Sequence, residues 1–204
     1  MVFLPALWFW DFEKKDLFSY FCKLHLCFVE FAINHPKIDV VMKPKPKEYP
    51  SWKKNVFDES VINSNIDIRK IPNLILRGDL NLHSLFLESN VVCGLNTSAL
   101  LEASVIGLPV IIPYFKDLQN PKYDERVFYR DAYDLFDVAE SVEDLESLIS
   151  KRLQNPVIDK DILERRGAYF EKHISSLKGD ATKKYVALIK RVVLDQQSNR
   201  VSYK

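Results

Sequence analysis

Glycine is scarce in this chain, five in 204 residues, so there are few points where the backbone can turn left-handed or approach another group closely without strain. Cysteine is scarcer still. Cys22, Cys27 and Cys93 are odd in number and have no ligand-like spacing, which excludes a disulfide framework and a zinc ribbon and leaves them as buried thiols of a reducing compartment. Excess charge is missing as well: 29 Lys and Arg stand against 28 Asp and Glu, so no overall field draws the chain to nucleic acid or to an anionic surface. The apolar opening, MVFLPALWFW, ends after ten residues at Asp11 and has no basic leader. It is too short to span a bilayer, unlike a signal peptide, and reads as a buried strand. There is no low-complexity run and no internal repeat.

What is present is an alternation of short β-prone runs with segments of helical period. Strands are expected at residues 2–9, 38–42, 73–77, 91–93, 110–112 and around 135–138. Between residues 14 and 34, Leu17, Phe21, Leu24, Phe28 and Phe31 recur every three or four positions until His35-Pro36 stops the helix. His25 lies within it and reads as a packed histidine, since no second His or Cys stands at ligand spacing. Further helices are expected at 83–88, from residue 97, and from Ser141, where Ser141-Val142-Glu143-Asp144 has a capping-box-like pattern followed by Leu145, Leu148 and Ile149. Two more fall at 162–173 and 181–194, the last with Tyr185, Leu188, Ile189 and Val192 on one face. Residues 48–71 show no strong element but carry Trp52 and Phe57, expected over the sheet edge, and 116–127 have the composition of an active-site loop. Six strands alternating with helices imply an α/β, doubly wound, mostly parallel Rossmann-like sheet. It would occupy residues 1–155, with C-terminal helices packing on it over 156–195 and a frayed tail at 196–204.

Residues 90–115, NVVCGLNTSALLEASVIGLPVIIPYF, carry the chemistry. They read as strand, glycine turn, helix, glycine stop, strand. Gly94 turns the chain, Asn96, Thr97 and Ser98 open the helix, and Gly107 with Pro109 ends it. A helix start has N–H groups without intrahelical partners and the positive end of the dipole, which suits phosphate. On spacing alone, the same polar residues could simply cap the helix. The second strand runs into Lys43-Pro44-Lys45-Pro46-Lys47, and open α/β sheets bind anionic ligands at strand carboxyl ends. The crevice would collect Trp10-Asp11, Lys43-Pro44-Lys45, Gly78-Asp79, residues 94–98 and residues 113–115, with Gly78, Gly94 and Gly107 all placed where backbone comes close to a ligand.

The run from Gly94 to Ala103 (GLNTSALLEA) and then Gly107-Leu108-Pro109-Val110-Ile111 resembles the G-x-N/S-S/T-x-x-x-x-E-A-x-x-x-G-x-P-V-I-x-P pattern of the GT-B superfamily. That pattern belongs to the C-terminal, nucleotide-sugar-binding domain of bacterial glycosyltransferases of surface polysaccharide (lipopolysaccharide or capsule) assembly, and of the related UDP-N-acetylglucosamine 2-epimerases. Lys43-Pro44-Lys45-Pro46 resembles the K/R-P-H-P element of that domain, and Gly179-Asp180-Ala181-Thr182-Lys183-Lys184 its D-G-x-A-x-x-R helix start. The resemblance spans residues 38–193 and points to a superfamily more than to one activity.

It implies one half of a GT-B fold, a glycosyltransferase-type donor domain that binds a nucleotide-diphospho sugar for hexosyl or related transfer to a glycan or lipid-linked acceptor. Lys43, Lys45, Gly94, Asn96, Thr97 and Ser98 would bind the diphosphate and Glu102 the ribose. No metal and no cofactor would be needed, because cationic side chains and a helix dipole carry the leaving-group charge. The setting would be cytoplasmic, peripheral at the inner face of the membrane, with no nucleic-acid partner. Two departures stand out. Lys45 occupies the place usually held by histidine, so it acts as a fixed charge instead of a proton carrier. The chain also starts at what looks like the first strand of the second domain, so the acceptor site and catalytic base would come from a separate N-terminal half-enzyme, or the chain is a truncated product; no catalytic residue can be named.

Two other readings come from the same residues. An epimerase-like enzyme acting on UDP-N-acetylglucosamine needs an acid and a base in the cleft; Asp11, Asp79 and Glu125 are the available carboxylates, and the loop histidine is missing. A non-catalytic accessory or remnant domain would instead bind a partner through its apolar interdomain face, with Trp8, Phe9 and Trp10 partly exposed.

Overall fold

The structure, a computed structural model, describes residues 1–5, 15–62, 64–121, 123 and 129–201. Strands β1 (Val2–Leu4), β2 (Val40–Met42), β3 (Leu74–Leu76), β4 (Val92–Gly94), β5 (Val110–Pro113) and β6 (Asp137–Ala139) form one sheet. Its order is β3-β2-β1-β4-β5-β6, and every pairing is parallel. This is the doubly wound Rossmann-like arrangement expected from the alternation of strands and helices. The inner strands are short and buried throughout, as strands covered on both faces must be. Val2 pairs with Val41 on one side and with Val92 on the other, so the chain winds outward from β1 in both directions. The switch point lies between β1 and β4, and there the connecting loops diverge and leave a crevice at the strand ends. The first strand ends at Leu4; residues 6–9 of the expected 2–9 strand lie outside the described residues, as do Trp10, Asp11 and Glu125.

One face is covered by α1 (Lys15–Asn34), whose three-four repeat buries Leu17, Phe21, Leu24, Phe28 and Phe31. Phe28 stacks on Phe3 of β1 with ring centroids 4.1 Å apart. By length and composition, residues 17–34 could cross a membrane, but their apolar face is spent on the sheet. His25 is buried among aromatics: Trp52 Nε1 donates to its Nε2 at 2.9 Å, and its Nδ1 donates to the Phe21 carbonyl oxygen at 2.6 Å. Both ring nitrogens are used within the core, so His25 is a packed histidine as expected.

Residues 49–62, where no strong element was expected, are helical: α2 (Tyr49–Trp52), a π-helical turn (Lys53–Phe57) and α3 (Asp58–Ile62). The π turn is the reason the helix is illegible. It spaces the buried Trp52 and Phe57 five residues apart, off the 3.6 period by which a helix is recognised. α3 packs against α1.

The opposite face carries α4 (Leu82–Leu87) and α5 (Ala99–Val105), and α6 (Val142–Gln154), α7 (Lys160–His173) and α8 (Ala181–Val201) complete the chain. α6 packs on α1, β5 and β6, while α7 packs on α5. Ser141 caps α6 as its sequence implied, its Oγ accepting from the Asp144 N–H at 3.1 Å. Gly107 ends α5 with φ +87°, a conformation open to glycine. Arg166 of α7 is 2% exposed and donates to the carbonyl oxygens of Leu135 at 2.8 Å and Leu108 at 3.0 Å. It thereby ties α7 to the ends of two connections across the sheet.

α8 departs from expectation in two ways. It stays helical to Val201 instead of fraying from residue 196, and residues 181–191 are exposed on every side instead of packing on the sheet. Tyr185, Val186, Leu188 and Ile189 therefore show apolar surface to solvent.

Candidate functional site

A cleft of about 360 Å³ opens at the switch point, lined by Leu4, Pro5, Lys43, Lys45, Leu82, Asn96, Thr97, Ser98, Ala99, Glu102 and Tyr129. It gathers Lys43, Lys45, Asn96, Thr97, Ser98 and Glu102, which the sequence placed in two separate segments. Leu4 and Pro5 belong to the end of β1, so the apolar floor comes from the strand on which the winding reverses.

Lys43 follows β2 and is only 9% exposed. Its Nζ donates to the Gly78 carbonyl oxygen at 3.3 Å. Burial pushes its amine below the usual lysine range, and the Asp79 carboxylate pulls it part of the way back. Lys45 is more exposed and lies 3.6 Å from Glu48 Oε1. Asp79, one of the carboxylates weighed for an acid–base role, is bound by Arg77 through two hydrogen bonds of 2.6 and 2.7 Å. That guanidinium holds its carboxyl well below the ordinary range, the wrong direction for an acid at neutral pH.

The start of α5 is built from three residues in different states. Asn96 is buried with φ 55°, a left-handed conformation that Asn tolerates better than most residues. Thr97 Oγ1 accepts from the Ala99 N–H at 3.4 Å, a long contact. Ser98 makes no side-chain capping bond, so its hydroxyl is not used as a cap. Helical bonding begins with Leu100 N–H to Thr97 O, and the Leu101 and Glu102 N–H groups both bond to Ser98 O.

Gly94 does not line the cleft. A Cβ there would lie 3.0 Å from the Leu4 carbonyl oxygen and 3.2 Å from Leu100 Cδ2, so this glycine lets β1, β4 and α5 converge beneath the site. Gly107 corrects the grouping made from sequence: it joins α5 to the start of β5, at the other end of the strands, where an added Cβ would meet Leu163 Cδ2 of α7 at 4.0 Å. Residues 113–115 are buried and not part of the lining. The D-x-D triplet Asp159-Lys160-Asp161 sits at the start of α7 and is likewise outside the cleft.

Two features of the site were missed, Tyr129 in the lining and His83 beside Glu102. Tyr129 lies on the left-handed backbone at φ 64°, half-buried, with its ring edge-on to Tyr169 of α7 at 6.4 Å. Its hydroxyl is shifted upward by burial and then by the Glu102 carboxylate. His83 of α4 donates from Nε2 to Glu102 Oε2 at 3.1 Å. Its position at the start of the helix after β3, hence near a strand carboxyl end, was the available signal.

The sequence matches no family model and no curated protein. Among solved structures, the wall teichoic acid polymerase TagF aligns over 97% of this chain and 44% of its own, with a TM-score of 0.52 and 14% identity. A Listeria monocytogenes protein described as a UDP-N-acetylglucosamine 2-epimerase aligns over 85% of this chain and 44% of its own, with a TM-score of 0.46 and 13% identity. The chain thus spans 44% of the length of either structure. The likeness to TagF shows the fold: a six-stranded parallel α/β domain of the kind that makes up one half of a GT-B architecture.

Proposed function

We propose that this chain is the donor-binding half of a glycosyltransferase, holding a nucleotide-diphospho sugar in the switch-point cleft while a second domain supplies the acceptor site and the catalytic base. The observation that carries this reading is the convergence of Lys43, Lys45, Thr97, Ser98 and Glu102 on one cleft. Two cations, two hydroxyls beside a helix start and one carboxylate match the parts of a nucleoside diphosphate: anionic oxygens at one end and a diol at the other.

In this reading the diphosphate lies between Lys43 and the first turn of α5. As the bond from the sugar to the phosphate oxygen breaks, negative charge grows on that oxygen. Groups already aimed at it stabilise the charge without reorganising. Lys43 is held by the Gly78 carbonyl, so it is such a group; Lys45 adds a second, more exposed charge. Bound phosphate raises the lowered Lys43 pKa again, because a nearby anion favours the ammonium form. These side chains neutralise the leaving group, and the reading calls for neither metal nor cofactor.

The acceptor in this reading is a glycan or lipid-linked saccharide. The work would take place in the cytoplasm at the inner face of the membrane. The exposed apolar residues of α8, Tyr185, Val186, Leu188 and Ile189, provide surface on which an acceptor-bearing half can pack. The epimerase alternative loses Asp79 as its acid, since that carboxylate is committed to Arg77.

Titration of the purified chain with UDP-, CDP- and GDP-linked sugars tests the reading. Saturable binding by one nucleotide class supports it, and no binding to any of them overturns it.

A further inference from the structure

Glu102 and His83 meet at the rim of the cleft, 19 residues apart in sequence and on helices either side of β4. A carboxylate can only accept, so His83 Nε2 carries the proton and donates it to Glu102 Oε2 across 3.1 Å. The His83 side chain is 76% exposed and that of Glu102 31%. A contact so open to water adds little to stability. What it does supply is geometry. A free glutamate side chain samples many rotamers, and this contact holds one of them on a cleft wall that also carries Thr97 and Ser98.

A carboxylate has about four lone-pair sites. With one taken by His83, the others remain for hydroxyl donors, and a ribose offers two such hydroxyls on adjacent carbons. A deoxyribose offers one fewer. Both residues stand on helices of the fold, so the contact that directs the carboxylate is in place without a ligand.

Resting on the donor-binding reading above, we propose that His83 is a positioning residue that orients Glu102 toward the ribose diol and makes the site selective for ribonucleoside over deoxyribonucleoside diphosphates. His83 need not touch the nucleotide. It acts through Glu102, and what matters is its N–H, not its charge or its ring.

The test is calorimetric titration of the full chain with UDP, CDP and GDP and with their deoxy counterparts, with melting temperatures confirming that each variant is folded. Wild type should prefer the ribose form by roughly tenfold or more, the scale of one hydrogen bond to a charged group. Glu102→Ala should abolish the preference. His83→Phe, which keeps a ring but no N–H, should shrink it several-fold while leaving affinity for the deoxy form unchanged. His83→Gln, which keeps an N–H, should retain it. A His83→Phe variant that keeps the full preference, or that weakens both forms equally, overturns the proposal. Equal binding of both forms by wild type overturns it too and leaves the donor-binding reading standing, whereas binding of neither form overturns both.

Discussion

Lys43 Nζ donates a hydrogen bond to the carbonyl oxygen of Gly78 at 3.3 Å, joining the carboxyl ends of neighbouring strands β2 and β3. The bond fixes the ammonium group at the cleft, but burial makes it easier to deprotonate. Nucleotide binding should therefore weaken as pH rises through the lowered Lys43 pKa, since the free protein loses a charge that the complex restores. The dissociation constant should rise in wild type as pH climbs toward the ordinary lysine range and stay flatter in Lys43→Arg, whose guanidinium does not titrate there. Parallel profiles would show that Lys43 does not meet the phosphate.

His25 makes a separate prediction about stability. Its pKa is lowered from 6.5 to about 4, chiefly by burial, so the folded protein holds it neutral while the unfolded chain protonates it more readily. Its contribution is complete above the unfolded value and is lost as pH falls toward about 4, amounting to roughly 3 kcal/mol. Urea unfolding of wild type against His25→Gln across that interval should show a steeper loss in wild type. The same slope in both would contradict the buried, neutral histidine.

Arg166 makes the third prediction. Burial lowers its pKa to about 10, low for arginine but still cationic at neutral pH. Arg166→Met leaves the Leu135 and Leu108 carbonyls without their donor and should cost roughly 2–5 kcal/mol in urea unfolding. A loss under about 0.5 kcal/mol, the range of ordinary surface substitutions, would mean water replaces the guanidinium without penalty.

Most of the sheet was legible because short β-branched runs such as Val91-Val92 and Val110-Ile111-Ile112 have one plausible use in an alternating chain. The turn from β4 into α5 was legible because Gly94 and three small polar residues, Asn96, Thr97 and Ser98, stand before the helix. What stayed hidden depended on distance or on broken period. The π turn lets Phe57 share a buried face with Trp52 at a five-residue spacing that the 3.6 period does not show. Arg166 reads as one more polar helix residue until Leu108 and Leu135 are brought beside it. His83 gained meaning only when α4 and α5 were set on either side of β4. Gly107 misled for a related reason: it ends a helix as expected, but a helix that starts at the carboxyl end of the sheet must finish at the other.

The central claim, that this cleft seats a nucleoside diphosphate, is tested most directly by calorimetric titration of UDP, CDP and GDP into wild type and Lys43→Met. The methionine keeps most of the buried stem and removes the charge. The account predicts saturable one-to-one binding of at least one nucleotide by wild type, and a loss of affinity of about tenfold to a hundredfold in a folded Lys43→Met, the scale of one charge-assisted hydrogen bond. Absence of binding to all three nucleotides, or equal affinity in the two proteins, would contradict it.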